Sequence, residues 1–229
     1  MMKAKPAHDS GFLTDSARMA ENRDRAPFHR TWVDPDFAAA NYHSIRVAPV
    51  NTEFVLEQST WAKSNPRNIV IEDDLKRIAG EFRQTVIEKF VESEQNRFAI
   101  VDSARDQTMI LELAITELVP GKAFLGMLGL ASWAAPPGVG VPVGAVASFA
   151  DDGWMAIEGR VRDAETGRVM AMFADREGPK TRVLDLEAAT WYGHARESMN
   201  DWAEQFVVLA NTPKDVQVED SSAFTLLPW

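Results

Sequence analysis

Two helical stripes constrain the fold of this chain more than any other feature of its sequence. In residues 73–91 and again in residues 185–210, apolar side chains recur every three or four positions, the spacing of one helix face. The first stripe comprises Leu75, Ile78, Phe82, Val86 and Phe90. The second comprises Trp191, Ala195, Met199, Trp202, Phe206 and Leu209. Because each helix is apolar on one side only, both must bury that side against a shared surface.

Segments with the pattern of β-strands supply that surface. The predicted strands are residues 42–56, 97–101, 108–119, 154–161 and 168–174. A turn at residues 163–167, in which Gly167 adopts a positive φ, joins the last two strands into a hairpin. Helices that each have one apolar side cover one face of a sheet and leave the other available. The predicted fold is therefore α+β, a two-layer sandwich of a mostly antiparallel sheet with two long amphipathic helices on one face.

The order of these elements predicts a single core domain with appended segments. Residues 1–40 are expected to form an irregular N-terminal arm with short helical pieces, and a turn at residues 32–35 because Asp34 precedes Pro35. Residues 41–212 form the α+β core, and residues 213–229 form a C-terminal tail. A chain of 229 residues can bury a core large enough to fold without a disulfide or a metal.

An uncharged insert interrupts the core at residues 123–150, with five glycines and three prolines. It is too broken for a membrane-spanning helix and too apolar for an ordinary solvated loop. Two interpretations stay open: the insert folds back over the open sheet face, or it is a contact surface for lipid or a neighbouring subunit. The residues expected to make such contacts are Phe124, Leu125, Leu128, Trp133, Val139 and Val141 in the insert and Trp61 in a predicted loop.

Composition argues against several kinds of site. The chain has no cysteine, which excludes disulfides, thiol nucleophiles, cysteine-bound zinc and iron–sulfur clusters. Its net charge of −10 argues against general nucleic-acid binding, which needs surplus positive charge. The carboxylates form no calcium-loop pattern, and the glycines in residues 138–144 lack the lysine of a phosphate-binding loop. We expect no metal and no cofactor.

No pattern typical of catalysis stands out either. His194 lies four residues before Ser198 in the second predicted helix, near enough to activate its hydroxyl, but no nucleophile-elbow motif is present. His194 is better explained as an ordinary surface histidine, and we therefore assign no catalytic residue. We therefore expect that the protein is not an enzyme. The alternative is a small-ligand-binding protein or a hydrolase-like enzyme that uses a cleft between the sheet and the N-terminal arm, with carboxylates or His194 as acid–base groups.

Several segments taken together resemble a known family. They are residues 10–16 (SGFLTDS), 42–50 (YHSIRVAPV), 106–117 (DQTMILELAITE), 159–169 (GRVRDAETGRV) and the pair Trp202-Ala203. This set resembles the bacterial envelope lipoproteins catalogued as domain of unknown function 3313, over roughly residues 10–210. The motifs are moderately specific as a set and weak singly, since Asp-x-x-Thr-Gly alone is only a hairpin turn.

The resemblance implies an α+β fold and a location in the periplasm or at the periphery of the outer membrane. It also implies lipid attachment through an N-terminal cysteine of the natural precursor, and this sequence contains neither that cysteine nor a signal peptide. The family has no established catalytic residues to carry over. The expected function is a non-enzymatic binding or assembly module that contacts another envelope protein, a second copy of itself or the membrane surface.

Deletion of residues 124–146 tests the insert as a contact surface. If the insert contacts a neighbouring subunit, the deletion lowers the mass of the assembly in solution by more than the deleted residues account for. If the insert contacts lipid, the deletion abolishes co-sedimentation with liposomes. A variant that carries a glycine–serine linker of equal length serves as the control, with circular dichroism to show that the core is folded. Unchanged mass and unchanged liposome binding in both variants would leave the insert without a contact role.

Overall fold

One sheet and the helices on it make up the part of the chain that the computed structural model describes, residues 6–21, 27–58, 68–119, 154–178, 193–213, 216 and 218. In these residues the strands are β1 (Ala20–Glu21), β2 (Arg30–Val33), β3 (Ser44–Val47), β4 (Ala99–Ile100), β5 (Thr108–Val119), β6 (Trp154–Asp163) and β7 (Val169–Glu177). The α-helices are α1 (Glu53–Gln58), α2 (Asn68–Glu92) and α3 (Gly193–Asn211). Short 3-10 turns occur at Ser16–Arg18 and Ala39–Asn41.

The strand order across the sheet is β1-β2-β7-β6-β5-β3-β4. Strand β3 runs parallel to both β4 and β5, and the other neighbouring pairs are antiparallel. These parallel pairs are possible because the long helix α2 lies between β3 and β5 in the chain. It returns the chain to the end of the sheet at which β3 began. In the β6–β7 hairpin, Gly167 has a φ of +70° and the carboxylate of Asp163 accepts the amides of Glu165 and Thr166. The predicted α+β fold, mostly antiparallel sheet and hairpin turn are confirmed.

Both predicted helical stripes pack where expected. All five residues of the first stripe are buried, and α2 begins ahead of the predicted start. In the second stripe Ala195, Met199, Trp202 and Phe206 are buried and Leu209 is partly buried, whereas Trp191 lies outside the described residues. The two helices run parallel, since Arg196 pairs with Glu81 and, further along both helices, Glu204 pairs with Lys89.

The strand predicted over residues 42–56 is too long. Strand β3 ends at Val47, and the chain becomes helical at Glu53. Pro49 lacks the amide that a continuing ladder needs. The side chain of Asn51 accepts the amide of Glu53 at 2.9 Å, which satisfies a first-turn donor and starts α1. Asn51 itself still bridges to Ala114 of β5.

The N-terminal arm is less irregular than predicted. It contains the expected short helical piece at Ser16–Arg18, but it also supplies β1 and β2 at one side of the sheet. Trp32 and Val33, predicted to lie in a turn, pair with Met172 and Ala171 of β7. Pairing to an existing sheet edge gives these residues backbone partners that the sequence pattern alone does not reveal.

Part of the arm lies on the sheet face opposite the long helices. Successive residues of β7 point to opposite faces, so Phe173 joins the main core while Met172 packs in a smaller cluster with Leu13 and Met19 of the arm. The amide and the hydroxyl of Ser10 donate to the two oxygens of Glu158 at 2.9 and 2.7 Å. The face that the sequence analysis left available is therefore occupied by the arm at these positions.

Gly159→Ala tests the close packing of β6 against β7. A Cβ at Gly159 would overlap the ring of Phe173, which is buried in the main core. We expect a loss of about 1–3 kcal/mol in the free energy of unfolding, measured with urea. Gly80→Ala is the matched control, because its Cβ meets nothing within 4 Å on an exposed helix position, and it should gain about 0.5–1 kcal/mol. Equal effects of the two substitutions would contradict this packing.

Candidate functional site

An apolar cavity of about 470 Å³ lies between the sheet and the C-terminal ends of α2 and α3. The sheet contributes side chains from five strands to its wall, and the helices contribute two aromatic rings. Among the sheet residues are Val33, Ile45, Met109, Leu111, Val161 and Phe173. The helix residues are Phe90, Phe206, Leu209 and Ala210. The volume falls in the range of roughly 300–1,000 Å³ that small-molecule sites occupy.

Segments that the sequence analysis placed outside the core close the cavity. Phe28, Pro35 and Phe37 come from the N-terminal arm, and Val216 and Val218 come from the start of the tail. Val33 and Val216 line the cavity yet keep 48% and 52% of their surfaces exposed. Some of the residues that line the cavity are therefore also in contact with solvent.

Aromatic packing holds one wall of the cavity rigid. The ring of Phe28 stacks on Phe173 with centroids 4.8 Å apart, and Phe173 contacts Phe206 at 5.1 Å. All three rings are buried, and they come from the arm, the sheet and α3. Offset and tilted ring pairs of this kind add about 0.5–1.5 kcal/mol each beyond the area they bury. The wall is thus fixed by contacts among three separate parts of the chain.

Asp34 is the single charged residue among the described residues that line the cavity. One oxygen of this buried carboxylate accepts hydrogen bonds from Nη2 and Nε of Arg168, at 2.6 and 2.9 Å. The other oxygen accepts the amide of Asp36 at 2.9 Å. The Asp36 amide and the Arg168 guanidinium hold the pKa of Asp34 below its usual value. The Asp34 carboxylate is therefore ionised at neutral pH and already paired.

The backbone of Asp34 shapes the turn that follows β2. Its amide donates to the carbonyl of Met170 at 2.8 Å, and its carbonyl accepts the amide of Phe37 at 3.0 Å. This places the Phe37 ring in the cavity wall, where it packs against Tyr42 with centroids 6.0 Å apart. The Tyr42 hydroxyl donates to Asp163 at 2.6 Å. The wall is thereby connected to the β6–β7 turn.

A second polar group lies deeper in the fold and joins its layers. The buried carboxylate of Asp175 accepts the Nε1–H of Trp202 at 2.8 Å and the backbone amide of His29 at 3.1 Å. It also contacts Nδ1 of His29, which donates if that nitrogen carries the proton. An aspartate–histidine pair can serve acid–base chemistry, but neither residue lines the cavity. This group ties the arm, the sheet and α3 together.

Charged side chains on the opposite sheet face are paired with one another. Nε of Arg160 lies 2.5 Å from Glu112, and Nε of Arg176 lies 3.0 Å from Glu117. Arg160 and Glu112 sit on the adjacent strands β6 and β5, where opposite charges stabilise the sheet, whereas the pair of Arg176 on β7 and Glu117 on β5 spans the strand between them. Within the described part of the chain, histidine and carboxylate side chains form no group of three or more placed to hold a metal ion. None of the helices described there has the length and apolar composition needed to cross a bilayer.

The contact residues predicted from the sequence all lie outside the described residues. These are Trp61, Phe124, Leu125, Leu128, Trp133, Val139 and Val141. Of the two residues considered for catalysis, His194 is in the first turn of α3 with its side chain outside the described part, and Ser198 is buried. The structure brings together a different set, and sequence reasoning missed Asp34, Phe37 and Val216. The Asp34-Pro35 pair was the available signal, since it marks where the arm leaves the sheet.

Comparison with known proteins identifies a family for this chain and also finds solved structures of low sequence identity. A family model described as a protein of unknown function, DUF3313, matches residues 8–206. No curated protein matches the chain.

Several solved structures are similar to this chain. A PelC dodecamer from Paraburkholderia phytofirmans is 10% identical, with a TM-score of 0.41, and the similarity covers 79% of this chain and 94% of that chain. Protein XCC0632 from Xanthomonas campestris, of family DUF330, is 9% identical with a TM-score of 0.42, covering 78% and 90%. The hypothetical protein CT253 from Chlamydia trachomatis is 10% identical with a TM-score of 0.35, covering 73% and 94%.

Tyr42→Phe tests the link between the cavity wall and the β6–β7 turn. The Tyr42 hydroxyl lowers the pKa of Asp163 from its usual 3.8, and burial together with the Asp163 hydrogen bond raises the pKa of Tyr42 from 10.0 to about 12. The pair therefore stabilises the fold fully from about pH 4 to pH 10. That stability is lost as pH falls through the lowered pKa of Asp163 and as pH rises from 10 to about 12.

We expect Tyr42→Phe to lower the free energy of unfolding by about 1–2 kcal/mol at neutral pH, because a hydrogen bond to an ionised carboxylate is lost. The deficit should shrink towards both pH extremes. Denaturant unfolding across pH measures it, and the phenyl ring that remains preserves the contact with Phe37. A deficit that does not vary with pH would show that the hydroxyl–carboxylate pair is not its source.

Proposed function

This chain belongs to DUF3313, a family of unknown function, and we propose that it is a non-enzymatic cell-envelope module that binds an apolar group in the cavity between sheet and helix ends. The observation that carries the proposal is the cavity wall. Among the described residues the wall is apolar apart from two threonine hydroxyls and one carboxylate that is already paired. Such a wall favours an apolar occupant, because a polar one would lose its hydrogen bonds to water without replacement.

Binding explains this wall better than catalysis does. General acid–base or nucleophilic chemistry needs titratable groups that can reach the substrate. Asp34 has both oxygens engaged by Arg168 and by the amide of Asp36. The buried residues His29 and Asp175 are not among those that line the cavity. The described lining therefore offers contact area and shape rather than a reactive group.

A location in the cell envelope is part of the proposal and is supported by the family resemblance. In that setting the apolar group would come from another envelope protein, from a second copy of the chain or from the membrane surface. The net charge of −10 makes nucleic acid an unfavourable partner. Fractionation of cells that express the natural gene with a C-terminal tag tests the location, and recovery with cytosolic proteins would refute it.

A small-ligand-binding protein is the second candidate. The cavity volume falls in the range of small-molecule sites, and the arm forms one side of it, as expected for a cleft between sheet and arm. The two candidates share one site and differ in whether the occupant is a free molecule or part of a larger partner. Native mass spectrometry of the protein purified from cells separates them, since a free ligand adds a small defined mass.

Ala210→Phe tests the cavity as a binding site. The Ala210 side chain lines the cavity at the end of α3, so a phenyl ring there would fill the space. N-phenyl-1-naphthylamine, a neutral apolar fluorophore, should bind the unsubstituted protein at one saturable site. We expect Ala210→Phe to weaken that binding by about tenfold or more, a loss of about 1.4 kcal/mol, measured by fluorescence titration.

Val208→Phe is the matched control. It places the same ring on the same helix at a position that is 44% exposed and does not line the cavity. Its fluorophore affinity should equal that of the unsubstituted protein. The absence of saturable binding, or equal losses in the two variants, would refute the cavity as the site.

A further inference from the structure

The carboxylate of Asp34 in the cavity wall is neutralised by the residues around it. Its hydrogen-bond donors are the guanidinium of Arg168 and the backbone amide of Asp36. That amide, Arg168 and the positive charge of Arg18 together lower the pKa of the Asp34 carboxyl group. Arg168 also pairs with the exposed carboxylate of Asp36 at 3.3 Å. The four side chains are two arginines and two aspartates, so their charges cancel.

No other side chain of the described lining adds a charge. The remaining polar side chains there are those of Thr31 and Thr212, which are neutral. The hydroxyl of Thr212 already donates to the carbonyl of Val208 at 2.6 Å. An ion enclosed by this wall would lose its hydration and would meet no excess of opposite charge to replace it, whichever sign it carried.

The cavity is large enough to enclose a small amphiphile together with its head group. A water molecule occupies about 30 Å³ in the liquid, so a volume of about 470 Å³ gives room for roughly fifteen groups of that size. An octyl chain with a small head group has fewer non-hydrogen atoms than that. The charge of such a head group can therefore be tested against the wall itself.

We infer that the cavity selects an uncharged molecule and excludes ions of both signs, and that Arg168 and Arg18 set this selectivity by neutralising Asp34. The inference rests on the proposed function, because it assigns the ligand class of the same site. The occupant that fits is a neutral alcohol, ester or hydrocarbon. Without the guanidiniums, Asp34 would give the wall a negative charge that attracts cations and repels anions.

Displacement of N-phenyl-1-naphthylamine by amphiphiles with one common octyl chain tests the charge selectivity. We expect the neutral compounds octanol and octyl methyl sulfone to bind about tenfold or more tightly than octyltrimethylammonium and octyl sulfate. Both ions carry permanent charges, so neither can bind in a neutral form, and the sulfone resembles the sulfate in size. Titrations are run below the concentrations at which the amphiphiles form micelles.

Substitutions that unbalance the charges in opposite directions isolate the neutralising residues. Arg168→Gln and Arg18→Gln each leave one excess negative charge, so the cation-to-anion affinity ratio should rise. Asp34→Asn leaves one excess positive charge, so the ratio should fall. One unit charge about 4 Å from another changes affinity by about fivefold in water, so each ratio should shift by about fivefold or more at low ionic strength.

Arg105→Gln is the matched control, because it removes one positive charge from an exposed position that does not line the cavity. Its ratio should equal that of the unsubstituted protein. Circular dichroism checks the fold of every variant. Arg18→Gln keeps the hydrogen-bond donors of Asp34, so it reports on charge even if Arg168→Gln destabilises the protein. Ratios that stay constant in all variants, or that shift equally in Arg105→Gln, would overturn the role of the two arginines.

The outcomes separate this inference from the proposed function. If the fluorophore itself fails to bind, the proposed function is refuted. If it binds but either ion displaces it as well as octanol does, or none of the octyl compounds displaces it, the cavity remains a binding site and the inference about its ligand is wrong.

Discussion

The cavity wall depends on the hydrogen bonds that the buried carboxylate of Asp175 accepts. Asp175 lies on β7 and accepts hydrogen bonds from Trp202 of α3 and from the backbone of His29, directly before β2. A carboxylate removed from water is stable only when its oxygens are engaged. The arm, the sheet and α3 must therefore meet at this point. Phe28, the residue directly before His29, is then fixed against Phe173 and Phe206 in the wall.

Much of the fold could be predicted from hydrophobic periodicity. The α2 stripe and the whole of β5 were found from spacing alone, because both elements are long and their burial pattern repeats many times. Short elements are different. Strands β1 and β2 form because the edge of β7 provides hydrogen-bond partners, and the local sequence of the two short strands contains no pattern that predicts this pairing. The end of β3 was missed for a related reason. The capping bond from Asn51 overrides the apolar character of the residues that follow.

The candidate site was harder to predict than the fold, because its residues come from distant parts of the chain. Phe37, Phe206 and Val216 become neighbours of one cavity only after the arm and the tail have joined the sheet. Asp34 illustrates the difficulty: the Asp-Pro pair identified a turn, while its partner Arg168 lies in another hairpin. The cleft expected between sheet and arm agrees in part with the cavity. Its helix side, at Phe90 and Leu209, depends on where two helices end.

The outermost strands limit how this sheet can associate with other molecules. Each edge of the described sheet is formed by a strand of two residues, β1 on one side and β4 on the other. A strand added from a second molecule would find little backbone to pair with, and short edges are a common protection against such growth. Pairing of a further strand to β1 or to β4 is therefore disfavoured in the described sheet.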